Sequence, residues 1–524
     1  MTTEPGASSR VSAPLVASEP ETPPPTASTA SGERDPTLAR NASYLVAGQV
    51  VTTALAIVFS AALGRSLGAE DFGLYYLITV MSTFASVFVE WGQPFFVIRE
   101  VATEPLRAGE LLGTALALRA GLAFAVAIPA GLIAWALGYG GRTSWLLVLL
   151  ILAGLPLFLA QGYGMVFRAR DQMGRDAAVS VANKVLVLGV ALPALAAGAG
   201  IPGVVFAQAV AGAAALGVAV SLYRGLKMPP LRVSSVVARE TLAGGTPILA
   251  MTAAIWAQPY LDVIILSKLA PATVVGWFGA AKTILGTIMA PAVILGAAAF
   301  PRLARASADT TALRREVRAA FRPLLWLAAL AGTGTYLFAG TAIAIVYGAK
   351  GFGPAATVLE VFAPGLFLLF IDILLMNVVY ASEGGTSRFA VAKILSVGLG
   401  TLLDVLLIPY FQKHFGNGAI GVLVAFALSE FVVFAGAITV LRRRALEPAI
   451  VLDVARALGA GAITILVFHV IPPAPPWVGM PLCVGTFAAA SVAVGLLRRE
   501  ELAVLRSLAR RPRILSPQAT GADR

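Results

Sequence analysis

The sequence predicts an all-α polytopic membrane protein with about fourteen transmembrane helices. Three observations carry that reading. Of 524 residues, 58% are hydrophobic and only 13% charged, and mean hydropathy is +0.84, whereas soluble domains carry about a quarter charged residues. Apolar stretches of about 20 residues, enough to cross a bilayer, recur from residue 43 to near the end. Positive charge alternates between the loops in register with those stretches.

In chain order, residues 1–42 hold Pro, Ser, Thr, Ala and Glu with no sustained apolar run and read as a disordered cytoplasmic tail. Residues 43–223 carry six spans, at 43–64, 73–98, 111–138, 143–167, 177–198 and 201–223. A basic cytoplasmic linker, 224–241, leads into 242–441, with spans at 242–268, 273–301, 323–347, 357–381, 387–410 and 417–441. Two shorter spans, 454–471 and 477–497, complete the set before a basic cytoplasmic tail, 498–524.

Loops on the side of the termini hold twenty Lys and Arg, from Arg99 and Arg107 through Arg314, Arg315 and Arg318 to Arg442, Arg443, Arg444 and Arg456. The opposite side holds five: Arg65, Arg142, Lys268, Lys350 and Lys413. Basic residues stay in the cytoplasm, so both termini are expected there. The basic stretch 302–322 fits an amphipathic helix on the membrane surface, and ordinary topology charge explains it equally.

The same counts exclude other functions. One cysteine, Cys483, permits no internal disulfide, and two distant histidines, His414 and His469, argue against a metal or acid–base centre. No cofactor is implied. The net charge of +12 lies in short loops between spans, so no nucleic-acid partner is implied. The outer loops leave an enzyme almost nowhere to place an active site, their one acidic pair being Glu70–Asp71.

An internal repeat is visible. The turn from Ser66 to Tyr75 ends in Gly73-Leu74-Tyr75, and the turn from Lys268 to Phe278, one residue longer, ends in Gly276-Trp277-Phe278. Six spans separate them, which predicts two six-helix lobes as parallel repeats with two additional C-terminal helices.

Ionisable side chains at membrane depth are costly and mark candidate sites. They are Glu90, Arg119, Lys184, Asp262, Lys282, Asp372, Lys393, Asp404 and Glu430. In the second span Tyr76, Thr79, Thr83, Ser86, Glu90 and Gln93 step by three and four residues, a polar stripe suited to a wet cavity or an interhelix contact. Shorter stripes occur at Gln49, Thr53 and Ser60, at Ser180, Asn183 and Lys184, and at Lys282, Thr283 and Thr287. Similar depth suggests that Glu90 pairs with Arg119 and Asp372 with Lys393. Lys184 and Lys282 have no acid at their depth and are the favoured cations for an anionic substrate. Lys184, Lys282, Arg119, Lys393, Glu90, Gln93 and Thr83 are the cavity candidates, with Asp262 and Asp372 as candidates for ion coupling. The string Trp-x-Gln-Pro occurs at 91–94 and 256–259, in non-equivalent helices, and carries no functional reading by itself.

The segment from Gly64 to Tyr75 (Gly-Arg-Ser-Leu-Gly-Ala-Glu-Asp-Phe-Gly-Leu-Tyr) resembles a turn of the Wzx-type oligosaccharide flippases of the MOP (MATE-like) exporter superfamily. Val275 to Lys282 resembles its counterpart in their second half. Tyr347-Gly348, then Ala381-Ser382-Glu383-Gly384, Leu407-Ile408-Pro409-Tyr410 and the segment from Gly418 to Ala425 follow in the family's order across roughly residues 40–445. One departure is Asp404, where the family often has a neutral Asn. The resemblance implies a MATE-like V-shaped bundle in the bacterial cytoplasmic (inner) membrane. It implies alternating access that carries an undecaprenyl-pyrophosphate-linked oligosaccharide to the outer leaflet for cell-surface polysaccharide biosynthesis. Implied partners are the lipid-linked glycan, membrane lipids and other polysaccharide-assembly proteins. A cation-coupled MATE-type drug antiporter, a lipid II flippase and a membrane-embedded glycosyltransferase are the competing readings.

Overall fold

A computed structural model describes residues 36–497, apart from 227, 308, 349–350, 382–385, 442–447 and 473. Fifteen α-helices lie among the described residues. The N-terminal half contains α1 (Pro36–Glu90), α2 (Gln93–Thr103), α3 (Ala108–Ala136), α4 (Gly140–Ala153), α5 (Leu155–Ala169), α6 (Met173–Ala196) and α7 (Gly200–Arg224). The C-terminal half contains α8 (Ser235–Leu269), α9 (Ala272–Ala306), α10 (Thr310–Tyr347), α11 (Pro354–Ala381), α12 (Thr386–Phe415), α13 (Ala419–Leu441), α14 (Pro448–Val470) and α15 (Pro476–Ala493). The expected tail 1–42 lies outside the described residues up to 35, and its last residues open α1; the expected tail 498–524 lies outside them entirely.

Twelve of these stretches are long and apolar enough to cross a membrane, or thirteen with the bent α8 taken as one span. The first is a 57-residue stretch, Ala47–Thr103, so the number of crossings is twelve to fourteen according to how that stretch is divided. Inside α1 the chain breaks at Gly68 (φ 74°, ψ 175°), a conformation open to glycine and strained for other residues. The first limb of α1 leads away from the near end of the bundle, where Pro36 lies, and the second limb starts at the far end.

At that far end the two repeat turns pack against each other. A Cβ on Gly73 would fall 1.9 Å from the Ala272 carbonyl oxygen, and one on Gly276 would fall 2.0 Å from the Ala69 carbonyl oxygen. Each turn thus offers Ala and Gly four residues apart, and the backbones approach as closely as small residues allow. Arg65 stands eight residues before Gly73 and Lys268 eight before Gly276. Aligned this way the turns have equal length, and the extra residue expected from the sequence disappears.

Both Trp-x-Gln-Pro strings fall at helix breaks. The first spans the junction of α1 and α2, where Trp91 and Gly92 adopt positive φ (46° and 66°) and Pro94 enters α2 in its first turn. The second lies at a 49° bend in α8 between Ala254 and Trp256. There Pro259 cannot donate to the carbonyl four residues back, which opens the helix at that point.

The basic stretch 302–322 forms no separate surface helix. α9 runs through Arg302 and Arg305, Asp309 caps α10 by accepting from the Thr311 amide at 2.8 Å, and Arg314 to Arg322 lie in the opening turns of α10. Those arginines ride on ends of long helices. The expected linker is also shorter, because α8 begins at Ser235. Its Arg232 amide donates to the Gly109 carbonyl (3.3 Å) and the Ser234 amide to Thr114 Oγ1 (3.1 Å), holding it along α3.

Within this bundle α1 packs on α6 and α9, α9 on α10 and α11, and α12 on α13. α14 and α15 join the bundle through α10.

Candidate functional site

Two adjoining cavities lie where α1, α6 and α9 meet. The deeper one, about 340 Å³, is lined by Ser60, Tyr75, Tyr76, Thr79, Asn183 and Gln208 among others. The shallower one, about 290 Å³, is lined by Gln49, Thr52, Thr53, Gly286 and Thr287. Ala56, Lys184 and Thr283 line both. Members of the three short polar stripes therefore meet at one site, Gln49, Thr53 and Ser60 from the first span, Asn183 and Lys184 from the fifth and Thr283 and Thr287 from the eighth, while Ser180 and Lys282 do not line it.

Lys184 is exposed to this space, and no acidic side chain lines either cavity. Hydroxyls and amides supply the rest of the polar surface. Gln208 donates to the Tyr75 hydroxyl at 2.8 Å, and the Thr283 hydroxyl donates to the Gly279 carbonyl at 2.9 Å. The deep wall ends in aromatic packing, with the Ser60 and Tyr347 hydroxyls 2.7 Å apart and Phe72 edge-on to Tyr347 at 5.6 Å. A cation inside a ring of neutral donors and acceptors suits an anionic group joined to hydroxyl-rich matter.

The other candidates sit elsewhere. Thr83 and Ser86 are exposed or half-buried and donate to carbonyls of their own helix, Thr79 and Thr83 respectively, both at 2.7 Å. The stripe from Tyr76 ends at the Trp91–Gly92 break, and beyond it Gln93 turns into the protein interior with no exposure. There its Oε1 accepts from Arg119 at 3.2 Å. Arg119 is itself 1% exposed and donates to the Phe158 carbonyl at 2.6 Å. Glu90 acts on Arg119 through its charge, but no ion pair within 4 Å joins them among the described contacts. Its guanidinium is committed to Gln93 and a backbone carbonyl.

In the C-terminal half Lys393 Nζ lies 2.8 Å from Asp372 and 3.8 Å from Glu430, which is the pairing that helix depth predicts with a second acid added. Lys282, expected to lack an acid, shares its surroundings with Asp262 and lies 5.5 Å and 5.4 Å from the ring centres of Phe278 and Phe362. Asp262 also faces Asp404 closely enough for each charge to act on the other. Asp404 is 1% exposed, and its carboxyl lies within hydrogen-bond reach of the Asp262 carboxyl. The charges thus fall into two settings: Lys184 faces a cavity lined by both halves, whereas the C-terminal half holds two groups, Lys393 with Asp372 and Glu430, and Lys282 with Asp262 and Asp404.

Sequence reasoning passed over Gln208 and Tyr75. The signal for Gln208 was available, since it is a lone amide between Ala207 and Ala209 in the otherwise apolar opening of α7. A larger groove of about 620 Å³ between α3 and α4 is apolar apart from Arg142 and Ser144 and lies among exposed Trp135 and Trp145.

Among solved structures the fold is similar to the lipid II flippase MurJ in an inward closed conformation, with a TM-score of 0.68 and 12% identity over 90% of this chain and 100% of that one. It is similar to a multidrug resistance MATE family transporter of the MOP superfamily in an inward-facing conformation (TM-score 0.58, 14% identity, 75% of this chain and 94% of that one). A MOP superfamily transporter from Pyrococcus furiosus, described as having a binding pocket of reverse polarity, gives 0.55 at 14% identity over 78% and 95%. At such identities the likeness is one of fold. No curated protein sequence matches the chain. Residues 38–307, more than half of the chain, match the family described as "Polysaccharide biosynthesis protein", and the chain therefore belongs to this Wzx-like family of membrane transporters, which are not enzymes.

Proposed function

We propose that the protein is a flippase that carries an undecaprenyl-pyrophosphate-linked oligosaccharide across the bacterial cytoplasmic membrane by alternating access, both termini being cytoplasmic. The observation that carries this reading is Lys184, set at the junction of two cavities lined by hydroxyls, amides and tyrosines without an acid. The ammonium holds the pyrophosphate by charge-assisted hydrogen bonds, and the surrounding neutral groups accept the sugars. The tail stays in lipid, whose cost of transfer is then avoided.

Fourteen crossings fit this function. A single 57-residue span would be roughly 85 Å long, far beyond a hydrocarbon core of about 30 Å, so Gly68 divides it into two. Two six-helix lobes, α1–α7 and α8–α13, then rock about the shared cavity, with α14 and α15 appended. Lys282 and Asp262 stand behind the cavity wall and tune its field. Arg119, Gln93, Glu90, Thr83 and Lys393 support the helices that form it. Other polysaccharide-assembly proteins supply and receive the glycan.

A second reading, a cation-coupled antiporter, draws support from Asp404 and Asp262, two carboxyls set against each other inside the C-terminal half. These two are better placed than Asp372, which already pairs with Lys393, to bind a coupling cation. Proteoliposomes holding a fluorescent undecaprenyl-pyrophosphate oligosaccharide separate the readings. The flippase protects the glycan from an externally added glycosidase, or exposes it, as it moves between leaflets. Drug efflux driven by an ion gradient, with no glycan movement in the same vesicles, overturns the proposal in favour of the antiporter.

A further inference from the structure

The far end of the bundle is closed by contacts that come in matched pairs. Arg65, at the end of the first limb of α1, donates from Nε to the Val346 carbonyl at 3.0 Å and from Nη2 to the Ile345 carbonyl. Both carbonyls belong to the last turn of α10, beyond the Ala344 carbonyl that the Gly348 amide bonds at the helix end. Lys268, at the end of α8, donates from Nζ to the Leu137 carbonyl, the residue that ends α3, and lies 3.3 Å from the centre of the Tyr139 ring. Here too the neighbouring amides bond earlier carbonyls, Gly138 to Trp135 and Tyr139 to Ala134, so the Leu137 oxygen is left for the lysine.

The correspondence is reciprocal. Each half ends its first span in a base that caps the third span of the other half, and the cation meets the negative end of that helix. A hydroxyl pair repeats the pattern without sharing its register: Ser60 with Tyr347 and Ser267 with Tyr139, both 2.7 Å apart. Between them the Ala69/Gly73 and Ala272/Gly276 backbones touch, each glycine filled by the other turn's carbonyl. We infer that these reciprocal contacts form one self-complementary gate, in which Arg65 and Lys268 are the latches, and that the far side of the cavity opens only when both let go together. A two-fold arrangement of like contacts makes all-or-none opening natural, because separating the turns breaks both sides at once.

This rests on the alternating-access part of the proposed function but not on its substrate, so the test uses no glycan. With Cys483→Ser as background, Thr283→Cys places one reporter thiol in the cavity of the full-length protein in sided membrane vesicles. A membrane-impermeant maleimide is added from the far side or the near side. Arg65→Ala and Lys268→Ala are each expected to raise far-side labelling about tenfold, the shift that loss of one charge-assisted bond gives a two-state equilibrium. Near-side labelling should not rise, Arg65→Lys should stay close to the parent, and the double variant should rise about a hundredfold, the product of the two singles, up to the ceiling of full labelling. Unchanged far-side labelling in both variants overturns the gate. A rise in only one overturns its reciprocity, and a rise from both sides shows general loosening and overturns it as well.

Discussion

Lys184 on α6 and Thr283 on α9 come from opposite halves of the chain and each lines both the deep and the shallow cavity. A site shared in this way changes when the halves move, because neither residue can follow both. The pairing also explains why the deep part, closed by Tyr347 and Phe72, and the shallow part, bounded by Gln49 and Thr53, meet at a cation.

The buried arginine of the N-terminal half predicts a large stability effect. Arg119→Met removes the donors to the Phe158 carbonyl and to Gln93, which is already buried with its amide nitrogen lacking a partner. The expected cost is about 2–4 kcal/mol, read as a lower midpoint in detergent-solubilised thermal unfolding. A midpoint at or above the parent would show that the guanidinium is not a structural tie.

Lys393 balances two acids, so removing it should be worse than removing one of them. Lys393→Ala leaves Asp372 and Glu430 facing each other and is expected to destabilise by about 1–3 kcal/mol, a value held down because the lysine is about a third exposed. Adding Asp372→Asn should recover part of that loss. Additive losses in the double variant would contradict the pairing.

Asp404→Asn tests the carboxyl pair. Because Asp404 faces the Asp262 carboxyl, an amide that can donate to it should be tolerated, with unfolding within about 1 kcal/mol of the parent or above it. If the Asp262–Asp404 pair holds a coupling cation, the same variant abolishes the dependence of transport on that cation. A cation dependence that survives both Asp404→Asn and Asp262→Asn removes the pair from the coupling mechanism.

Gln208→Ala removes the amide that donates to the Tyr75 hydroxyl at 2.8 Å in the deep cavity. About 1–2 kcal/mol of stability should be lost, and Tyr75→Phe in the same chain should restore most of it. Failure of that rescue in a thermal melt would show that the bond does not set the cavity wall.

Much of the fold was legible because lipid imposes period and length on the chain: α6, α7, α13 and α15 lie within a few residues of the spans read from hydropathy. Helix breaks were less legible. Hydropathy runs straight through Trp91–Gly92 and Ala254–Trp256, and only backbone geometry shows that both Trp-x-Gln-Pro strings sit at turns of the chain. That break is why Gln93 leaves the stripe to which its spacing assigned it. The stripes containing Gln49, Asn183 and Thr283 pointed correctly to a shared cavity, since three-and-four spacing fixes a face. Pairings between distant helices were out of reach, because no local pattern brings Arg65 to Ile345 or Asp262 to Asp404. Lys282 was misjudged for the same reason: its acid is contributed by another helix.

If the Lys184 charge holds the anionic head of a lipid-linked glycan, removing that charge slows transport and keeping it as arginine does not. Initial rates of undecaprenyl-pyrophosphate oligosaccharide movement in proteoliposomes are compared for the parent, Lys184→Ala and Lys184→Arg, each at equal amounts of folded protein. Loss of one buried-facing charge contact corresponds to at least about a tenfold drop in rate, so Lys184→Ala should fall by that much while Lys184→Arg stays within a few-fold of the parent. Equal rates for all three proteins would contradict the assignment of the substrate phosphate to this cavity.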